Sequence, residues 1–270
     1  MNPFVWQFYQ NKNDIEGIKD PFFEFIYLDG DKKYSWDELD RMAPFFPRAW
    51  YELIQLPSQY RIEFMKATWK KILPFSPKLN VFLDLFFSKI EDIGVFLIRD
   101  FPEDNYVCEL VYSLKDQKTF FRGFAPATDE DIDQLSSSFH LVLPQDYLCF
   151  LKIHNGFTKA NDTGLTILEN LFSTTVKLHN QIERCSLNLE VQNKPIDPKS
   201  LIPFYQCFGR DAYQCFFLDW YTKNGIGNVY YSMPENKISN IQIGMNDLAF
   251  NSFLEWLQFY LEEVDMESLE

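Results

Sequence analysis

A chain of 270 residues with 46% hydrophobic residues and 28 Phe has ample material for a sizeable core, which excludes intrinsic disorder. Its net charge of −14 is uneven: residues 1–125 hold 16 Lys and Arg against 19 Asp and Glu, and residues 126–270 hold 9 against 20. A field of that sign repels nucleic acid and anionic membrane, both of which require basic patches; it either steers a basic protein partner or serves only solubility. No run of 18 apolar residues is present to build a membrane-spanning helix. The start, MNPFVWQFYQ, lacks the basic and long apolar regions of a signal peptide. Cys108, Cys149, Cys185, Cys207 and Cys215 form no close pairs, so free thiols in a reducing cytosol are expected.

The break GFAPATDED near Pro126 divides the chain into an α+β region, residues 1–125, and a second domain, residues 126–270. Of the first 125 residues, 28 are Phe, Trp or Tyr, which predicts an aromatic core. PFFEFIYL over 21–28, followed by DGD, reads as a strand ending in a turn. Ser35 with Glu38 predicts a capping box for a short helix through Met42. Helical patterns run from Pro47 to about Leu56 and from Ser58 to Leu73, punctuated by Pro57 and Pro74. Another starts near Pro77, with Phe82, Leu85, Phe86 and Ile90 as its apolar stripe. Strand-like segments follow at 94–100, 106–114 and 118–124, with LKDQK as a hairpin turn between the last two. The first region is thus helices followed by a small β-meander.

In the second region Thr128 is a predicted N-cap. Asp129, Glu130 and Asp131 then suit the positive end of a helix whose stripe is Ile132, Leu135 and Phe139. LPQDYLCFLKIHNG, from Leu143 to Gly156, reads as one helix, with Pro144 at its start and Asn155-Gly156 as its stop. GLTIL (164–168) is strand-like, and residues 169–188 read as helix. Three strands are predicted at 201–208, 212–220 and 227–233, with Lys223-Asn224-Gly225 as a hairpin turn. A helix from about Asn246 closes the domain, with Phe250, Phe253, Leu254, Leu257 and Tyr260 as its stripe. An acidic tail follows from Glu262 to Glu270.

Chemistry-bearing motifs are scarce. His140, His154 and His179 form neither HxxxH nor HExxH, and no CxxC occurs, so no metal site is expected. Cys149 and His154 on one helix would point about 140° apart, which excludes a nucleophile pair. Gly225-Ile226-Gly227 sits in a hairpin and lacks the helix that a phosphate loop needs. No catalytic residue and no cofactor is predicted. Asp129, Glu130, Asp131 and Asp133 have two readings: helix-start chemistry, or one edge of an acidic docking face for a basic partner.

The second region resembles the SUKH superfamily, the Smi/Knr cell-wall-assembly-regulator family. The resemblance rests on an order of motifs. These are Leu143, Pro144, Tyr147, Phe150, Leu151, Asn155 and Gly156, then LIPF (201–204), Gly209, FFLDW with Asp219, NVYY with Tyr230, and Ser252-Phe253. It covers about residues 126–263 and leaves residues 1–125 unassigned. Phe157 stands where the family often has a second glycine. The resemblance implies a mostly antiparallel sheet packed by helices, in a binding module without catalytic residues. Many bacterial members resemble immunity proteins against toxins, and eukaryotic ones look like regulators or scaffolds. The expectation is therefore a cytosolic, non-enzymatic protein that binds and neutralises a basic toxin domain. The alternatives are a regulatory scaffold with a second partner site in residues 1–125, and an enzyme of unknown class with a cleft between the two regions.

Overall fold

The computed structural model describes residues 1–10, 24–28, 34–115, 119–139, 143–185 and 188–262. Helices and antiparallel sheets make the fold α+β. The chain forms two units, Met1–Pro126 with Ile153–Ala160, and Ala127–Lys152 with Asn161–Glu270.

The first unit contains α1 (Pro3–Gln10), β1 (Glu24–Tyr27), α2 (Trp36–Met42), α3 (Arg48–Ile54), α4 (Ser58–Ile72), α5 (Pro77–Ser88), β2 (Ile90–Arg99), β3 (Val107–Leu114), β4 (Phe120–Phe124) and β5 (Phe157–Lys159). The predicted capping box starts α2: Ser35 Oγ accepts from the Glu38 N–H, and the Glu38 carboxylate accepts from the Ser35 N–H. Pro47 and Pro57 precede α3 and α4, and Ser76 caps α5 with Pro77 just inside it. The sheet order is β1-β2-β3-β4-β5, antiparallel throughout. Residues 21–23, the DGD turn and residues 116–118 lie outside the described residues.

Side chains alternate between the two faces of this sheet. On one face, Val5, Phe8 and Tyr9 of α1 pack against Phe96, Ile98, Val111 and Phe120. Tyr9 stacks on Phe96 with ring centroids 4.1 Å apart. Its hydroxyl donates to Glu109 at 2.6 Å, and Arg122 pairs with the other oxygen of that carboxylate. The charge of Glu109, which is 1% exposed, is thereby matched inside the core.

The other face is covered by α4, where buried Arg61 donates to the carbonyls of Leu56 and Ile93. Trp69, fully buried, donates its indole N–H to the Tyr112 hydroxyl at 2.9 Å. That hydroxyl lies 2.7 Å from His154 Nε2, and His154 Nδ1 lies 3.1 Å from the Phe124 carbonyl. A carbonyl only accepts, so Nδ1 carries the proton and Nε2 accepts from Tyr112. The chain of donors and acceptors closes only with a neutral imidazole. Burial holds the His154 pKa down to about 4, against the raising effect of the Phe124 hydrogen bond. Gly123 makes room for the ring: a Cβ there would lie 2.5 Å from His154 atoms.

The stripe of α5 differs from expectation. Its buried side chains are Leu79, Leu83, Phe86 and Phe87. Leu85 is 60% exposed, and Ile90 begins β2. The helix is buried around Leu83, one position off the expected axis, and Lys89 caps it before Ile90 can join the stripe.

The second unit contains α6 (Asp129–Phe139), α7 (Gln145–Leu151), β6 (Gly164–Leu165), α8 (Leu168–Arg184), β7 (Glu190–Val191), β8 (Lys194–Pro195), β9 (Leu201–Gln206), β10 (Ala212–Thr222), β11 (Gly225–Ser232), β12 (Lys237–Ile238), β13 (Ala249–Phe250) and α9 (Phe253–Leu261). The main sheet runs β12-β11-β10-β9-β6, antiparallel, with β13 also on β11. The β10–β11 hairpin turns through Lys223-Asn224, with Thr222 opposite Gly225 and Gly225 at φ +117°. One face packs Leu178 and Ile182 of α8 against Leu201, Tyr213, Cys215, Phe217, Val229 and Tyr231. The other buries Phe204 and Phe216 under α7 and α9, with Tyr147 5.1 Å from both Phe216 and Phe253.

Two predicted helices are shorter than expected. The segment from Leu143 to Gly156 is helical only over Gln145–Leu151, with Pro144 as N-cap and Lys152 as C-cap. Asn155 and Gly156 lie in the first unit, where Asn155 N–H donates to the Ala125 carbonyl and the Gly156 carbonyl accepts from Phe124 N–H. Their backbone belongs to the approach of β5 to β4, and Gly156, at φ +89°, supplies the turn. His154 is therefore not on the helix that carries Cys149. The closing helix starts at Phe253, not near Asn246. Leu248 is left-handed at φ +56°, and Phe250 pairs with Asn228 in the sheet. The buried stripe of α9 is Phe253, Trp256, Leu257 and Leu261.

Two predictions follow from the buried polar groups. In the unfolded chain His154 takes a proton near pH 6.5, and in the folded chain only near pH 4. Its contribution is thus complete above the unfolded value and is lost as pH falls toward the folded one, up to about 3 kcal/mol. Urea midpoints should fall more steeply between these values for the wild type than for His154→Gln. A second contrast concerns two buried tyrosines. Tyr112→Phe orphans partners on both sides and should cost about 1–3 kcal/mol. Among the described residues the Tyr147 hydroxyl has no hydrogen-bond partner. Tyr147→Phe should leave thermal stability unchanged or raise it.

Candidate binding surface

In the second unit, the polar residues of α6, α7 and α9 have distinct partners. Asp146, 8% exposed, is the most constrained of them. One oxygen accepts from its neighbour Tyr147 N–H at 3.0 Å, the other from Leu254 N–H at 3.0 Å. The carboxylate sits at the start of α9, where free N–H groups and the helix dipole favour negative charge. Ser252 caps the same end by accepting from Glu255 N–H. Burial raises the Asp146 pKa and the backbone N–H groups lower it, with burial the larger effect. Sequence reasoning passed over this residue, since its partner lies 108 positions away.

The four acidic residues of α6 have different roles. Asp131 forms a reciprocal cap with Thr128: its N–H donates to Thr128 Oγ1 and its carboxylate accepts from the Thr128 N–H and hydroxyl. Asp129 pairs with Lys152 at 2.6 Å, which raises the lysine pKa, and Asp133 adds to that effect. Both side chains of the pair are well exposed, so it contributes little to stability. Glu130 and Asp133 are exposed and, among the described residues, have no cation in ion-pair range. The inward side of α6 is Ile132 and Leu135. Phe139 of the expected stripe lies outside the described side chains. Helix α8 packs against α6, and its solvent side carries Phe172 and Val176, 46% and 41% exposed. Adjacent helices thus present two unmatched carboxylates and two apolar side chains.

The family-motif residues are mostly interior. Leu143, Tyr147, Phe150, Leu151 and Phe253 are at most 1% exposed, and Pro144 and Gly156 are buried. Asn155 is 9% exposed. Tyr230 is half-buried, with its backbone hydrogen-bonded to Ser239, and Asp219 is exposed on β10. Gly227 lies under the Trp220 ring, where a Cβ would meet ring carbons at 2.3 Å.

One group of titratable side chains in the unit does converge: the Tyr260 hydroxyl donates to Asp162 at 2.8 Å, and burial, followed by the charge of Asp162, raises the pKa of Tyr205 and Cys207. Burial raises the thiol pKa of Cys215, as it raises that of Cys108 in the first unit to about 12, which disfavours the thiolate. His179 is hydrogen-bonded to the Leu201 carbonyl at 2.8 Å, and His140 lies outside the described residues. Among the described residues no three His, Cys, Asp or Glu are placed to hold a metal ion, and no helix is long and apolar enough to cross a membrane.

Comparison with known proteins agrees with this architecture. No curated protein matches the chain. The model of the SMI1 / KNR4 family (SUKH-1) matches residues 126–258, the stretch that supplies α6 through most of α9. That part of the chain is a SUKH-1 domain of the SMI1 / KNR4 family.

Proposed function

We propose that the chain is a non-enzymatic protein-binding protein of the immunity type, whose SUKH-1 domain binds and neutralises a basic toxin domain in the cytosol. The observation that carries this reading is the acidic edge of α6 within a SUKH-1 domain that holds 15 Asp and Glu against 9 Lys and Arg. Glu130 and Asp133 are the residues with charge to offer. Asp129 and Asp131 already have partners and contribute mainly to the field. Complementary charge accelerates encounter, and Phe172 and Val176 on α8 supply apolar contact beside it.

The test is association with a purified basic toxin domain, followed by stopped-flow fluorescence. The charge-reversed pair Glu130→Lys/Asp133→Lys alters only exposed positions; reversing Glu130 in the first turn of α6 costs about 0.3–1 kcal/mol, small enough for the chain to fold. Its association rate should fall by about tenfold at low salt with little change in dissociation. Wild-type association should slow as NaCl rises. A chain that captures acidic partners instead, or that binds with no salt dependence, would refute the reading.

A further inference from the structure

The first unit carries a surface of the opposite sign. Helix α5 buries Leu79, Leu83, Phe86 and Phe87, and turns Val81 and Leu85 to solvent at 63% and 60% exposure. Phe75, just before the Ser76 cap, is 81% exposed. Single exposed apolar residues are ordinary, but three along one helix and its entry form a patch.

The segment that carries this patch is basic. From Ser58 to Lys89 the chain has Arg61, Lys66, Lys70, Lys71, Lys78 and Lys89 against only Glu63 and Asp84. Both acids are already matched: Lys66 pairs with Glu63 at 2.8 Å, and Lys70 of α4 reaches Asp84 of α5 at 2.6 Å. Arg61 is buried and serves the core. Lys71 and Lys78 are exposed and, among the described residues, have no carboxylate in ion-pair range. On the helical period Lys78 lies about 20° around from Leu85 and about 60° from Val81, so cation and apolar side chains share one face. At the far end Lys115 reaches the Ser88 carbonyl at 2.9 Å, which places a further cation beside the helix terminus.

We propose that this face of α4 and α5 docks an acidic amphipathic peptide. Apolar side chains of the peptide would rest on Phe75, Val81 and Leu85, and its carboxylates would meet Lys71 and Lys78. A peptide is favoured over an anionic bilayer by the range of the forces. A bilayer is broad enough to feel the chain's net −14, whereas a peptide on the patch feels charges within about 8 Å at physiological salt. The site is independent of the α6 surface, and it gives residues 1–125 the second partner site that a scaffold requires.

The experiment uses the full chain and two fluorescein-labelled helix-forming peptides of about 15 residues. They share leucines at i, i+4 and i+7 and differ only in flanking glutamates or lysines. Fluorescence anisotropy should show saturable binding of the glutamate peptide and none of the lysine peptide. Val81→Glu/Leu85→Glu should weaken binding by about tenfold or more, and Lys78→Glu by a few-fold. Far-UV circular dichroism and urea midpoints of these variants should match the wild type, since every altered side chain faces solvent. The proposal is overturned if the glutamate peptide does not bind or the two peptides bind equally. Unchanged binding by Val81→Glu/Leu85→Glu, or Val81- and Leu85-dependent partition onto phosphatidylserine vesicles in place of peptide binding, also overturns it.

Discussion

A buried tyrosine or tryptophan brings a polar atom into hydrocarbon, and that atom needs a partner. In the first unit this requirement links three distant parts of the chain: the indole of Trp69 on α4, the hydroxyl of Tyr112 on β3, and the imidazole of His154, which ends on the Phe124 carbonyl. Removing any member leaves its neighbours unmatched at near-zero exposure. The chain of bonds also dictates surroundings that look unrelated to it. Gly123 must lack a side chain, and the imidazole must stay neutral in a site ringed by Trp69, Phe157 and Trp50.

In the second unit buried Gln214 donates to the Asn228 side chain, which in turn donates to the Ser252 carbonyl. Tyr147 fills the space between Phe204, Phe216 and Phe253 as a hydrocarbon body. Its neighbour Asp146 holds the starts of α7 and α9 together by accepting backbone N–H groups from both. An interior aromatic thus supplies volume while an adjacent carboxylate supplies geometry. This division explains why the motif around α7 identifies the fold while carrying no chemistry. Its side chains point inward.

What was legible in the sequence was local. The Ser35–Glu38 box, the Thr128 cap, the proline boundaries of α3 to α5 and the Lys223-Asn224 turn each depend on residues within four positions, where propensity and capping decide. What was not legible depended on distant pairing. Asn155-Gly156 has the signature of a helix stop, yet its backbone is claimed by residues 124 and 125. Phe250 fits a helical stripe, yet Asn228 draws it into a sheet. Leu85 fits a core stripe by spacing, but only the position of β2 against α5 decides which side of the helix is inside. The acidic run was visible as a run. Which of its members are occupied became visible only with Lys152 beside Asp129.

Strand β5 has a consequence for how the molecule can be divided. It is the last strand of the first sheet and pairs with β4 through Phe121, Arg122 and Gly123, yet it lies inside the stretch matched to the SUKH-1 model. A fragment ending at Pro126 would leave β4 as a bare edge, with unpaired N–H and C=O groups facing solvent, the usual template for aggregation. The complementary fragment would keep residues 153–160 without the strand they pair with. Proteolytic or recombinant dissection at that boundary would therefore generate two damaged pieces, each prone to aggregate through backbone left without its strand partner.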